Sequence, residues 1–205
     1  MINKLTKIFS VVLLLIILSM VYLSFVGIKT DKFNERISNK IFEINNKLEL
    51  NLEDIKFLLN PYNLSVNLTT NSPAVLLRGK ELQIEKIKIN VSLKAIIFDE
   101  FLVNELQIST KPIMLNDIIL LARSFKNTTA LFLLDKITKK GFLIADIKLK
   151  FDDFGNIKKD YQINGFIKNA KFNFLNKINF SNLYLNFNIN KNKYFLTEIK
   201  AESND

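Results

Sequence analysis

Strict alternation of apolar and polar residues recurs along this chain and constrains what it can fold into. Ile87, Ile89, Val91 and Leu93 alternate with Lys86, Lys88, Asn90 and Ser92. The same period returns at Leu64-Val66-Leu68, at Ile147-Leu149-Phe151 and at Leu183-Leu185-Phe187-Ile189. A period of two puts all apolar side chains of a strand on one face and all polar ones on the other. The expectation is a mainly β chain whose sheet has one oily and one wet face. What covers the oily face then becomes the central question, because few segments have helical periodicity.

The alternation predicts strands at 48–52, 55–59, 63–69, 74–78, 82–93, 101–109, 142–152, 160–168, 170–175, 181–190 and 193–200. Short polar turns at Asn60-Pro61, Arg78-Gly79-Lys80, Asp153-Phe154-Gly155-Asn156 and Asn190-Lys191-Asn192 make neighbouring strands antiparallel. Within 82–93 the pattern changes phase. Leu82 and Ile84 share one parity and Ile87 to Leu93 the other, which predicts a bulge near Glu85-Lys86 and added curl.

No charged residue occurs from Ile8 to Ile28. As a helix that length spans a hydrocarbon core of about 30 Å. Lys4 and Lys7 precede it, and Ser24-Phe25-Val26-Gly27 is a poor cleavage site, so an uncleaved signal anchor is expected. Residues 1–7 then form a cytoplasmic tail, 8–28 the transmembrane anchor, and the bulk of the chain lies on the far side. Lys29, Lys32, Arg36 and Lys40 oppose that orientation. A long domain nevertheless translocates largely regardless of such charges.

Residues 29–47 hold a short amphipathic helix, read over 31–47 from Phe33, Ile37, Ile41, Ile44 and Leu48, with Asp31 at its start. A second helical signal interrupts the sheet at 115–140. Asn116 and Asp117 open it, and Ile118, Leu121 and Phe125 follow at helical spacing. Leu131, Leu134 and Ile137 come after Asn127-Thr128-Thr129, and Lys139, Lys140 and Gly141 close it. This divides the sheet into a first segment, 48–114, and a second, 141–205.

The chain has no His and no Cys. Those absences remove the commonest general base, thiol nucleophiles, disulfides and Cys-zinc sites. Neither a G-x-G-x-x-G motif nor a P-loop is present. The carboxylate pairs Asp99-Glu100 and Asp152-Asp153 fall at expected turns, without a base or metal partner in sequence view. No catalytic, cofactor or metal site is expected, and the chain reads as a non-enzyme. Its net charge of +9 is spread along the ladders rather than gathered in a stripe with stacking aromatics, so nucleic acid is not an expected partner.

Three stretches carry a family resemblance. One is the uncleaved N-terminal span. Another runs from Leu48 to Met114, with Leu64-Ser65-Val66-Asn67-Leu68, Pro73-Ala74-Val75-Leu76-Leu77, Ile84-Glu85-Lys86-Ile87-Lys88-Ile89 and Val103-Asn104-Glu105-Leu106-Gln107-Ile108 in order. The third, from Gly141 to Phe174, contains Tyr161-Gln162-Ile163-Asn164-Gly165-Phe166-Ile167-Lys168-Asn169-Ala170. Together they resemble the AsmA-like family of bacterial envelope proteins, with its TamB and YhdP relatives, and more remotely the chorein-type bridge proteins. The resemblance implies a curled, taco-like β-groove anchored in the inner membrane. In the periplasm that groove would carry phospholipid acyl chains toward the outer membrane and serve outer-membrane biogenesis. Members of that family are usually far longer, so the second segment is expected to be truncated or to pair with another chain.

The candidate groove-lining residues are Leu64, Val66, Leu68, Ile87, Ile89, Val91, Leu93, Val103, Ile147, Leu149, Phe151, Leu183, Leu185, Phe187 and Ile189. Each is equally well an ordinary core position. Two other functions stay open: an anchored assembly factor or scaffold that binds envelope proteins, and a single-span bridge of the lipopolysaccharide-export type. The helical insertion disfavours the bridge.

Overall fold

The computed structural model describes residues 2–32, 34–94, 103–174, 178–191 and 193–204. The carboxylate pair Asp99-Glu100 and the expected strand start at 101–102 lie outside them, as do Phe33, residue 175 and Asn192.

Helix α1, Ile2–Phe25, is exposed along nearly all its length. Its segment Lys4–Phe25 is long and apolar enough to cross a membrane. The charge-free stretch outlasts the helix, correcting the expected limit of 28. The amide groups of Val26 and Gly27 both donate to the Tyr22 carbonyl, and Gly27 has φ +75°. That left-handed residue ends the helix, as in many C-terminal caps. Any side chain at Gly27 would collide with the Phe57 carbonyl. Ile28 already belongs to β1, Ile28–Thr30, and pairs with Phe57.

The remaining elements follow in order: α2 (Asn34–Ile44), β2 (Leu48–Asn51), β3 (Ile55–Asn60), β4 (Ser65–Asn71), β5 (Ala74–Leu77), β6 (Lys80–Ser92), β7 (Val103–Thr110) and β8 (Ile113–Met114). Helices α3 (Leu115–Phe125) and α4 (Thr129–Ile137) come next, then β9 (Thr138–Lys150), β10 (Gln162–Phe174), β11 (Ile178–Asn190) and β12 (Lys193–Asn204). The chain is mainly antiparallel β, as its alternation predicts. The main path of the sheet runs β1-β3-β4-β6-β7-β9-β10-β11-β12 and does not close.

Bulges let these long strands bend without exchanging faces. In β6, Ile84 pairs with Thr110 and Lys86 with Ser109, leaving Glu85 as the extra residue at the predicted place. The N-terminal half of β6 pairs with β5, and β5 pairs with β2. This ribbon turns over the main sheet, because Leu48, Leu77, Leu82 and Ile84 pack with Ile113 while Leu50 packs with Val66 and Val91. A second line of irregularity crosses β9 to β12. Gly141, Asn169, Asn182 and Glu198 all have positive φ, and the register slips beside them. An extra residue on each strand restores parity, so Ile163, Gly165 and Ile167 share a face with Ala170 and Phe172.

Four sequence expectations change here. The strands expected at 160–168 and 170–175 are one strand, β10, bulged at Asn169. The amphipathic helix expected over 31–47 spans only Asn34–Ile44, while β2 starts at Leu48 as expected. The helical insertion ends at Ile137, and Thr138 to Lys140 start β9. Gly141 is therefore no helix cap. It lets β9 approach β10, since a Cβ there would lie 2.8 Å from the Ala170 Cβ and 2.6 Å from Leu115 Cδ1.

Side chains fix the joints. Asp117, buried in the first turn of α3, accepts from Lys80 Nζ at 2.6 Å. Arg123 bridges the helices by donating to Asp135 while lying 5.4 Å over the Phe132 ring. In the β9–β10 turn, one Asp152 oxygen accepts from the amides of Phe154 (2.9 Å) and Asn156 (2.8 Å). Lys150 donates to Asp160 across the same turn at 2.7 Å.

Gly141→Ala combines overpacking with left-handed strain, and is expected to cost about 2–4 kcal/mol in urea unfolding. A loss below about 0.5 kcal/mol would show that the two strands separate easily. The β9–β10 turn is also acid-sensitive. The Asn156 amide holds the Asp152 carboxyl below its usual pKa, and the hydrogen bond from Lys150 does the same for Asp160. Both favour the fold above the ordinary carboxylate pKa of 3.8. Their contribution is lost as pH falls below that value toward the depressed ones. Amide exchange at Phe154 and Asn156, corrected for intrinsic rates, should show lost protection below pH 3.8 and none lost between about pH 5 and 7.

Candidate functional site: a half-covered apolar face

The register assigns every ladder residue to a face, since directly opposed residues point the same way. Leu68 faces Phe57 and Ile89; Val66 faces Leu59 and Val91. Ile89 continues to Leu106 and on to Leu149, and Ile87 to Ile108 and on to Ile147. From Ile147 the row runs through Ile163 and Ile189 to Tyr194. Ala145, Gly165, Phe187 and Leu196 form the next row, and Leu143, Ile167 and Leu185 a third. One apolar face thus crosses the sheet from β3 to β12.

Its two halves differ in what lies above them. Over β3, β4 and β6, α2 and β2 supply Ile37 and Leu50, which pack with Ile55, Val66, Leu68 and Val91. Ile87, Ile89 and Leu93 join these clusters as partly buried members. Ile118 and Leu121 of α3 pack against the cluster of Leu48, Leu77, Leu82, Ile84 and Ile113, as do Ile108 of β7 and Ile87 of β6. The space left beneath α2, among Ile37, Leu50, Leu68 and Ile89, is about 20 Å³. That is room for about one water, so Val66, Leu68, Ile87, Ile89, Val91 and Leu93 lie in protein core.

From β9 onward α3 and α4 cover only the Thr138 end of this face, where Ala145 and Ala170 are buried. Ile147, Leu149, Phe151, Leu183, Leu185, Phe187 and Ile189 are half-buried and belong to neither core cluster. Val103, at the margin in β7, is also half-buried outside both clusters. Helix α4 reaches the Thr138 end of β9, and beside it Leu115 meets Gly141 and Ala170. Farther along, the lining is made by the strands themselves. The Phe187 ring lies over Gly165, where a Cβ would stand 2.8 Å from Cζ. At β12, Tyr194 and Leu196 are 69% and 56% exposed. Sequence reading missed Ile163, Ile167, Tyr194 and Leu196 as members of this face, although the alternation in 160–168 and 193–200 carries them.

Leu64 does not join the ladder. It precedes β4 in the β3–β4 turn, with φ 45° and an exposed side chain. Leu183 keeps its place by the neighbouring bulge, pairing with Ala170.

The opposite face is polar and hydrogen-bonded across strands from β4 to β7, while across β9 to β12 it also carries Phe142, Ile144, Phe166, Tyr184 and Phe195, with the Phe166 and Tyr184 rings 6.1 Å apart. Asn90 donates to Asn67 (2.7 Å) and Ser65 (3.0 Å), and Asn104 donates to Asn90 at 3.1 Å. Lys148 pairs with Glu105 at 3.1 Å. A hollow of about 290 Å³ lies on this side, lined by Asn67, Thr69, Lys88, Asn90, Glu105 and Gln107, with Leu58 at its edge. In the β3–β7 half, then, open space lies on the wet side and the apolar side is filled.

The chain matches no protein-family model, no curated protein and no solved structure.

Truncation should separate the two halves. Val91 is 0% exposed, so Val91→Ala is expected to cost about 1.5–3 kcal/mol. Leu196→Ala should cost under about 0.5 kcal/mol. Equal losses in denaturant titrations would mean that β12 is covered after all.

Proposed function

We propose that this chain is a membrane-anchored, non-enzymatic carrier of lipid acyl chains, with an AsmA-like layout. In this reading α1 sits in a bacterial inner membrane with its N-terminus cytoplasmic. The sheet stands in the periplasm, and phospholipid passes along it toward the outer membrane. One observation carries the proposal: an apolar face crosses nearly the whole sheet, and beyond the Thr138 end of β9 and the facing end of β10, which α3 and α4 cover, no second layer fills it as far as β12 among the described residues.

The chemistry suits such a cargo. Burying one CH₂ gains about 0.8 kcal/mol, so a chain of about sixteen carbons gains on the order of 10 kcal/mol. Rows of similar aliphatic side chains give successive positions similar affinity, which lets a chain slide rather than lodge. The headgroup stays in water and needs no dedicated side chain. The lining changes from the full set of ladder residues to the second half, with Ile163, Ile167, Tyr194 and Leu196 added. The first half, under α2 and α3, is scaffold.

A second reading has one specific observation in its favour. β12 pairs on one side only, with β11, among the described residues. An unpaired strand edge can accept a strand from another protein, as a scaffold or assembly factor would require.

Photo-crosslinking decides between the readings. Probes at 163, 187 and 196 are expected to capture acyl chains, and probes at 164 and 188, on the wet face, are not. A probe at 91 should also stay unlabelled, because core covers it. Labelling that ignores parity, or capture of protein alone at 196, would overturn lipid carriage.

A further inference from the structure

The register places one end of the sheet beside the anchor helix. β1 runs antiparallel to β3, so β3 heads back toward the end of α1, and Gly27 packs against Phe57 and Leu58. Three residues beyond Phe57, Asn60 pairs with Ser65. From there the level is followed across the sheet: Ser65 with Ser92, Val91 with Val103, Glu105 with Lys150, Gln162 with Lys148 and Asn190, and Asn190 with Lys193. The β3–β4, β9–β10 and β11–β12 turns therefore share the anchor-side rim.

Two of those turns expose large apolar tips. Tyr62 is 96% exposed and Phe154 is 89% exposed, with Leu64 and Ile157 also exposed beside them. Both tips sit on turns braced by a side chain. The Asn60 Oδ1 accepts from the amides of Tyr62 (3.1 Å) and Asn63 (3.3 Å). Asp152 braces Phe154 in the same way, and Ile157 bridges back to Phe151. Single exposed apolar residues are ordinary. Here, however, two braced tips point from the rim that the apolar helix joins. Four strand spacings separate the turns, roughly 19 Å. The turns carry both lysines (Lys158, Lys159, Lys191) and acids (Asp152, Asp153), which fits an apolar interfacial contact better than attraction to anionic headgroups.

We propose that this rim seats in the interfacial layer of the bilayer that α1 spans, through Tyr62 and Leu64 on one turn and Phe154 and Ile157 on the other. Tyrosine suits that depth, because its ring is apolar and its hydroxyl stays wet. With the anchor, the two turns hold the strands upright and open the uncovered apolar face onto the membrane. The inference rests on α1 spanning a bilayer and holds whether or not the sheet carries lipid.

The chain has no Trp, so single tryptophans report depth cleanly. The full chain with Tyr62→Trp or Phe154→Trp is placed in phosphatidylcholine vesicles, with or without lipid brominated near the headgroup end of its acyl chains. Phe125→Trp, on α3 at the opposite end, is the control. Expected are blue-shifted emission and at least about twofold quenching by brominated lipid at 62 and 154, unaffected by high salt. The Phe125→Trp control should be quenched by aqueous acrylamide and not by brominated lipid. Quenching of positions 62 and 154 by acrylamide alone would overturn the proposal. Shielding from both quenchers would do so too, because it means a protein partner, as would equal bromine quenching in the Phe125→Trp control. Leu64→Trp and Ile157→Trp repeat the measurement if either first variant fails to fold. Acyl crosslinking on β10 and β11 is read separately, so failure of the rim contact and failure of lipid carriage are distinguishable.

Discussion

A sheet face nine strands wide is about 40 Å across, while one helix laid upon it covers about 10 Å. That mismatch governs the molecule. Helix α2, the folded-over β2–β5 ribbon and α3 together cover the face from β3 to β7, and α3 and α4 extend that cover to the Thr138 end of β9. Between β9 and β12 the described residues form only turns and strands, so they supply no further layer. Apolar surface that a chain does not cover itself must meet solvent, lipid or another protein.

Bulges make the large face possible. A strand of 13 residues, such as β6 or β9, must bend on a strongly twisted sheet, and a bend without an inserted residue would strain the ladder. Glu85 supplies the insertion where β6 passes from the ribbon to the main sheet. Lys139, Asn169, Asn182 and Glu198 supply it along a line across the last four strands. Each insertion changes which residue numbers face inward while keeping the same chemistry inward. Phase changes in the sequence therefore mark geometry, not disorder in the pattern.

Some of this was legible residue by residue. The bulge at Glu85 followed from the parity change between Ile84 and Ile87, and the two helices of the insertion from the spacing of Ile118, Leu121 and Phe125 against Leu131, Leu134 and Ile137. Asn169 was legible only as a break, because one residue in the left-handed region looks the same in sequence whether a strand ends or merely bends. Gly141 was misplaced for a related reason: a glycine after lysines satisfies a helix cap as well as a close strand contact, and only Leu115 and Ala170 beside it decide. Leu64 fits the ladder by number but falls in the turn that precedes it.

Local periodicity alone determined that the chain has an apolar N-terminal helix and an antiparallel sheet with chemically distinct faces, since both depend on side chains a few positions apart. Periodicity could not say that Val91 and Ile163, equivalent in pattern, have opposite surroundings. Val91 lies beneath α2 and the ribbon, and Ile163 lies beyond both. Nor could it place Tyr62 and Phe154 at one rim with the end of α1. Those differences arise from which distant segments fold over which strands. Only tertiary structure decides that, because covering one part of the face uses up the few amphipathic segments available.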